Sequence, residues 1–484
     1  MNLRLVSIVL GHLTLACGAA EIFPVILAVA SGDSHGASIF FLSMIFCLIV
    51  TFELERFGIK TRKENLGVRE GLAVTGLGWL LICLLGMIPY VAGGYLNLLD
   101  SFLESVSGFS GTGATVIEDV EILPSSVLLW RSLSNWVGGL GIIVIFVAIL
   151  PQGRGVINLV RAEATGPTSE RQMPKVRDNA KALFIVYVAL TILCSIVYWI
   201  CGLEIFPAIN HAMTTIATGG FSTFNGSVAD YGNIYLEIAM TFFMIISSGS
   251  FAMYVVAWKK GLKIILRNTE FNFYLRMIGV AAILILLDLI VEGGFSILDA
   301  IRLSTFHVAS MASTTGFVSY DFDTWPAFAK GVLLMTMFLG GCAGSTAGGL
   351  KVSRIVILAK MVYSIAWQKL HPRMIATVKL NDRVVPDEIL LDVARFFFAY
   401  VLMDILLAFI MLLNGVPMID AVSVSVSTIG SVGPGFGIQG AMSSYSLLPD
   451  SSKIFVCFFM FLSRLEIFTV LVLFTPAFWN RKGW

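Results

Sequence analysis

The sequence predicts an all-α integral membrane protein: two N-terminal transmembrane helices, then four pseudo-symmetric repeats of helix, re-entrant loop and helix. Three observations lead there. The 484 residues are 57% hydrophobic and 13% charged, with mean hydropathy +0.88, against roughly 25% charged in soluble domains. Apolar stretches recur along the whole chain. Between paired stretches stand four glycine-centred segments: Thr112-Gly113-Ala114, Gly219-Gly220-Phe221, Thr315-Gly316-Phe317 and Val432-Gly433-Pro434. Their spacings of 107, 96 and 117 residues mark an internal repeat.

Candidate spans run over 3–30, 37–53, 70–90, 126–150, 181–202, 235–257, 276–292, 327–364, 391–414 and 452–476. Most supply the ~20 residues of helix that a hydrocarbon core about 30 Å thick requires. The first is too long, and too weakly basic at its start, for a cleaved signal, so it reads as a retained span. Seven cysteines without a CxxC pair read as packing thiols, neither disulfides nor zinc ligands. The implied units are 1–66 (two helices), then repeats over 67–155, 156–262, 263–370 and 371–484.

Four shorter segments, 97–112, 206–218, 297–314 and 418–430, are rich in Ser, Thr and Ala and too polar to cross. They read as re-entrant helices. Asp100, Asp299 and Asp420 stand near three of their starts, where a carboxylate satisfies free N–H groups; Pro207 suits the first turn of the second. After each helix the glycine permits the positive φ of a loop whose carbonyls face a pore. Unpaired backbone at membrane depth is tolerated where it lines a cavity. Four such loops around one axis replace the hydration shell of a monovalent cation.

Charge placement gives orientation. Segments 51–70, 151–181, 258–276, 350–395 and 481–482, with Arg4, hold 27 of the 32 Lys and Arg residues, all on one side of a chain that crosses ten times. Both termini are then expected in the cytoplasm, with the glycine loops opening outward. Asp33, Glu104, Glu118, Asp119, Glu121, Asp230, Asp321 and Asp323 share the outer side. They read either as a cation-concentrating mouth or as acids avoiding the basic face.

The stretch 327–364 contains Gly340, Gly341, Gly344, Gly348 and Gly349 within ten residues, together with Ser345 and Thr346. Each glycine weakens a helix by about 1 kcal/mol relative to alanine. A broken helix with a polar loop below the glycine ring is one reading, and a small-xxx-small packing face is the other. Arg464 falls inside the last span, where a charge costs roughly 2.5–3.5 kcal/mol on insertion scales. It is either a fixed cation below the ring or an interhelical partner of Glu466, Asp404 or Asp288; the latter two aspartates read as structural. Gly349-Leu350-Lys351-Val352-Ser353 breaks the phosphate-loop ending, so no nucleotide is expected on this chain. The five histidines form no metal or catalytic spacing, which argues against an enzyme. No nucleic-acid partner is indicated.

With its glycine loops, its glycine-rich break and Ser463-Arg464-Leu465-Glu466, the chain resembles the Trk/Ktr (TrkH/KtrB) family of potassium transporters over nearly its whole length. The resemblance implies a potassium-channel-like fold and a potassium-binding selectivity filter at Gly113, Gly220, Gly316 and Gly433. Thr112, Thr218, Gly219, Thr314, Thr315 and Val432 flank these positions and belong to the same candidate filter. It implies a gate formed by Gly340, Gly341, Gly344, Ser345, Thr346, Gly348, Gly349 and Arg464. It further implies a homodimer in a bacterial inner membrane, with a cytosolic nucleotide-binding regulatory ring of the TrkA kind. One glycine per loop, against the TVGYG of tetrameric channels, implies weaker selection among potassium, rubidium and sodium. The alternative function is a cation-coupled symporter of a small solute.

Overall fold

In the computed structural model, the structure describes residues 1–58, 67–141, 176–371, 373, 377–381, 383–465 and 467–479. The basic linkers at 59–66 and 142–175, and Glu466, lie outside them.

Helices α1 (Leu3–Ala20) and α2 (Ile22–Ala30) form the first span, and α3 (Ser34–Gly58) the second. The four units follow. The first comprises α4 (Val68–Gly86) with α5 (Ile88–Ala92), the short α6 (Leu98–Ser110) and α7 (Ser125–Leu140). The second comprises α8 (Val176–Ile200), the short α9 (Ile205–Ile216), α10 (Ile234–Ser247) and α11 (Phe251–Lys260). After α12 (Lys263–Arg267), the third has α13 (Thr269–Val291), the short α14 (Ile297–Ala312), α15 (Ala327–Leu339) and α16 (Val352–Leu370). The fourth has α17 (Asp387–Leu413), the short α18 (Met418–Gly430), α19 (Asp450–Arg464) and α20 (Ile467–Leu473), followed by α21 (Pro476–Trp479). A two-residue hairpin that the sequence did not suggest, β1 (Lys379–Leu380) with β2 (Arg383–Val384), turns through Asn381 at φ 48°.

Packing closes the four units into a ring. Each short helix lies against the second helix of the preceding unit: α9 on α7, α14 on α10, α18 on α15, and α6 back on α19. The short helices are among the most buried segments, whereas α8, α13 and α17 expose large apolar side chains such as Ile185, Leu287 and Phe409. Polar helices inside and apolar helices outside invert the pattern of a soluble protein, as a surrounding hydrocarbon requires.

Several expectations need correction. The spans at 235–257 and 452–476 are not continuous: α10 and α11 meet at 90°, and α19 and α20 at 115°. Gly249 and Ser250 free the backbone at the first of these breaks, and the bend brings Ser248 and Phe251 to the loop between α15 and α16. Residues 340–351 are not helical, and Gly340, Gly344 and Gly349 have φ of 72°, 73° and 74°. The small-xxx-small reading therefore fails, because that pattern requires a continuous helix face. Nor do the three aspartates cap their own helices. Asn97 and Ser296 are the caps; Asp100 and Asp299, three residues on, accept from those cap side chains at 2.7 Å. A third-position carboxylate reaches back to the cap residue. Asp420 instead accepts from Ile438 N–H at 3.2 Å, bracing the loop beyond the fourth glycine.

Candidate functional site

The four glycines meet in a closed cycle. A Cβ built on Gly113 would strike the carbonyl oxygen of Gly219, and one on Gly220 that of Thr315. One on Gly316 would strike that of Val432, and one on Gly433 would lie 2.7 Å from that of Thr112. Each glycine thus faces the residue before the next glycine, and the fourth returns to the first. Their φ values are 77°, 69°, 78° and 96°, a region that disfavours any other residue.

Two residues earlier in each unit the backbone is left-handed again: Gly111 (φ 74°), Thr218 (55°), Thr314 (56°) and Ser431 (55°). Thr112, Gly219, Thr315 and Val432, between these pairs, are not left-handed. Alternating handedness cancels the usual reversal of successive peptide planes and turns neighbouring carbonyls to one side of the strand. For β-branched threonines this conformation costs on the order of 1–3 kcal/mol each.

The strands are anchored at constant offsets. The N–H groups of Thr112, Gly219, Thr315 and Val432 donate to the carbonyls five residues back, of Ser107, Thr214, Ser310 and Ser427, at 3.1, 2.9, 3.0 and 2.9 Å. Those four residues all carry hydroxyls, six positions before each glycine. Ser310 Oγ donates to Phe317 O at 2.7 Å, and Ser427 Oγ to Gly433 O at 2.8 Å.

Nine positions before the first three glycines stand Glu104, His211 and His307, all fully buried. Glu104 accepts from Thr115 Oγ1, from Val116 N–H at 3.1 Å and from Arg131 Nε at 2.8 Å. Arg131 also donates to Ser222 O at 3.1 Å, and its guanidinium lies 4.3 Å from the Phe221 ring centre, joining units one and two. His211 Nε2 meets Ser222 Oγ, and His307 Nε2 meets Tyr320 O, each at 3.1 Å. In the fourth unit Val424 takes this position; Ser423 accepts from Phe436 N–H at 2.7 Å instead.

A cavity of about 440 Å³ lies on one side of the ring and touches all four glycines, Arg131, Gln439 and Tyr445. Of the eight outer carboxylates, Glu118 lines it among the described residues. Most of the others serve loop backbone: Asp230 accepts from Gly226 N–H at 2.7 Å, and Asp323 from Gly437 N–H at 3.2 Å. Glu118 thus borders the cavity directly, while Asp119, Glu121 and Asp230 are exposed on the loops around it.

On the other side, about 250 Å³ is bounded by residues 344–349, Gly139, Ser431, Ser463 and Arg464. The loop 340–351 ties to every unit there. Cys342 N–H donates to Ser248 O at 2.9 Å, and Phe251 N–H to Gly344 O at 3.0 Å, so the break between α10 and α11 pairs with the loop. Thr346 Oγ1 donates to Ile216 O at 3.0 Å, and Gly348 N–H to Thr314 Oγ1 at 2.7 Å. A Cβ on Gly348 would collide with Gly430 O. Arg464 donates to Thr346 O at 3.4 Å, to Gly139 O at 2.7 Å and to Gly138 O. One guanidinium thus joins the loop to the end of α7. Glu270 Oε1, on α13, accepts from Ala343 N–H at 2.6 Å and from Ser353 N–H at 3.1 Å, holding both ends of the loop.

Comparison with known proteins decides the family. The family model TrkH, a cation transport protein, matches residues 37–481. A Halomonas elongata protein named Trk system potassium uptake protein TrkH is 34% identical, covering 99% of this chain and 100% of its own. The Escherichia coli K12 protein of the same name is also 34% identical, with the same coverage. The crystal structure of the potassium transporter TrkH from Vibrio parahaemolyticus superposes with a TM-score of 0.89 at 29% identity, covering 99% of this chain and 100% of the other. The chain belongs to the TrkH family of cation transport proteins.

As a TrkH-family member it is a multi-pass membrane transporter rather than an enzyme. The sequence-predicted site residues fall into two groups, one in the TrkH-family ring and one to a single side of it. Thr112, Gly113, Thr218, Gly219, Gly220, Thr314, Thr315, Gly316, Val432 and Gly433 come together in it. Gly344, Ser345, Thr346, Gly348, Gly349 and Arg464 border the inner cavity. Gly340 and Gly341 lie behind it, Gly340 against Gly348 and Gly349 and Gly341 against Ser248. Neither Asp404 nor Asp288 takes Arg464: Asp404 accepts from Ser425 Oγ and Asp288 from Ala329 N–H. Sequence reasoning missed the supporting side chains. Their signal was the offset: six and nine residues before each glycine the chain repeats a hydroxyl and, in three units, a buried acid or imidazole.

Proposed function

We propose that this chain takes up potassium through a channel-like pore whose selectivity filter is the ring at Gly113, Gly220, Gly316 and Gly433. The closed carbonyl-to-glycine cycle carries the reading. Four strands of one chain bring equivalent main-chain oxygens together, which is what a dehydrated monovalent cation needs. The short helices end at these strands, and their C-terminal carbonyls favour a cation. Entry is from the outer cavity, with both termini in the cytoplasm of a bacterial inner membrane. Same-direction units in cyclic order favour a pore over a symporter with inverted halves.

Below the filter, residues 340–351 are the gate and Arg464 its latch. A fixed guanidinium bordering the inner cavity opposes a cation there, and its bonds to Gly138, Gly139 and Thr346 must break for the loop to leave. The chain works as a homodimer, and a cytosolic nucleotide-binding ring of the TrkA kind acts on the basic linkers. Rubidium flux into proteoliposomes tests the whole. We expect flux above empty vesicles and a changed rubidium-to-sodium ratio in Gly316→Ser. An unchanged ratio, with flux retained, refutes the filter assignment.

A further inference from the structure

Away from the pathway, α1 and α3 press together along close-packed glycines. A Cβ on Gly18 would sit 2.9 Å from Cys47 Cβ, and one on Gly11 3.3 Å from Thr51 O. Among the polar rungs that cross this seam, three stand together. The Thr14 and Thr51 hydroxyls bond at 2.7 Å, and Ser43 Oγ donates to Glu21 Oε1 at 2.8 Å. Between them, Cys17 faces Cys47. Cys17 is 6% exposed, and Glu21 and Cys47 are 0% exposed. The thiol sulfurs and a Glu21 carboxylate oxygen all lie within 4.8 Å of one another.

The Thr14–Thr51 rung is an ordinary interhelical hydrogen bond. The Glu21 rung, next to the facing thiols, is incomplete, because Glu21 Oε2 is buried with no hydrogen-bond partner among the described residues. An orphaned carboxylate oxygen costs free energy unless something satisfies it. Cys17 and Glu21 are four residues apart, on one face of adjacent turns, and Cys47 approaches from the facing helix. Two residues at i and i+4 opposite a third ligand form a chelating arrangement.

We infer that Cys17, Cys47 and Glu21 bind a thiophilic divalent cation, of which zinc best suits the donors, with Ser43 steering the carboxylate. Sulfur donors select against potassium and magnesium, and zinc accepts mixed cysteine and carboxylate ligands. Binding displaces the two thiol protons. The two thiolates balance the two charges of the ion, and the Glu21 carboxylate leaves the assembly with one net negative charge. The ion joins the two N-terminal spans, outside the conduction path, so its presence is separable from potassium flux.

The test uses the full-length detergent-purified protein, stripped with chelator, reloaded with zinc, desalted and analysed by elemental mass spectrometry. One equivalent of zinc per chain is expected for wild type, with loss of at least half in Cys17→Ser, Cys47→Ser and the near-isosteric Glu21→Gln. Cadmium loading should give the ultraviolet thiolate charge-transfer band in wild type, a readout that needs no variant to fold. The inference is overturned by wild type that retains no zinc and lacks that band. It is equally overturned by undiminished zinc in the folded variants, or by a Cys17–Cys47 disulfide in unreduced peptide maps.

Discussion

The two sides of the glycine ring, outer and inner in the proposed orientation, are built by different rules. Outside, the same positions recur four times: a left-handed residue two before each glycine, a hydroxyl six before, and the same backbone anchor five residues back. Inside, the second helices diverge. α7 runs unbroken to Leu140, α10–α11 and α19–α20 bend sharply, and α15–α16 are separated by residues 340–351. In the proposed filter a spherical ion requires equivalent ligands, so repetition is retained there. One loop that bonds to three units and reaches the first through Arg464 needs them to differ, so symmetry is given up.

The largest effects should come from breaking the repeated half. Gly316→Ala adds a Cβ against Val432 O at φ 78°, where neither backbone can yield. Rubidium flux in proteoliposomes should fall by at least tenfold, and likewise for Gly113 and Gly220. Gly433→Ala, with a looser 2.7 Å approach to Thr112 O, should lose less. Equal loss at all four positions would show that the cycle tolerates no asymmetry.

Next comes the buried ion pair outside the ring. Arg131→Leu leaves the Glu104 carboxyl 0% exposed and without its cation, and removing one partner of such a pair costs about 3–5 kcal/mol. Thermal unfolding in detergent should fall markedly. The double variant Glu104→Gln/Arg131→Leu should recover part of the loss, because no uncompensated charge remains. A double variant as unstable as Arg131→Leu would mean that packing, not charge, holds this corner.

The inner half should respond in conduction more than in stability. Glu270→Gln keeps an acceptor but removes the charge that holds Ala343 and Ser353 N–H. Each charge-assisted bond is worth about 1.5–3 kcal/mol, though the amide retains part of it. We expect a severalfold rise in flux without the cytosolic partner and little change in melting temperature. Lower flux with a lower melting temperature would make Glu270 a fold residue rather than a tether of the loop.

What the sequence revealed follows the same division. Apolar stretches and glycine spacing gave the helices and the ring, because both depend on one-dimensional patterns: length for a span, recurrence for a repeat. The break at 340–351 was legible through glycine density. The breaks after Ser247 and Arg464 were not, since Ser248-Gly249-Ser250 and Leu465 leave hydropathy high across the bend. Glu104 reads in the sequence only as outer charge, Arg131 carries no local signal, and His211 and His307 match no motif. Their partners lie in loops or other units, 27 residues away for Glu104 and Arg131, and no local pattern announces such pairs. Glu270 sits 73 residues from Ala343 for the same reason.

The smallest and most discriminating comparison sets Thr218 against Thr314. Both occupy the same left-handed position, at φ 55° and 56°, so replacing either by glycine relieves the same backbone strain. Both are fully buried, and the side chain lost offsets part of that relief; net stability should stay within about 1 kcal/mol of wild type. Their hydroxyls differ. Thr218 Oγ1 donates to the adjacent Ala217 O at 2.7 Å, a local bond, whereas Thr314 Oγ1 accepts from Gly348 N–H at 2.7 Å. Any change in basal flux from the altered strand should be common to both variants, and Thr314→Gly should raise flux above Thr218→Gly by freeing Gly348 from the ring. Matching flux in the two variants would break the division drawn here, because one strand would then be serving both halves without coupling them.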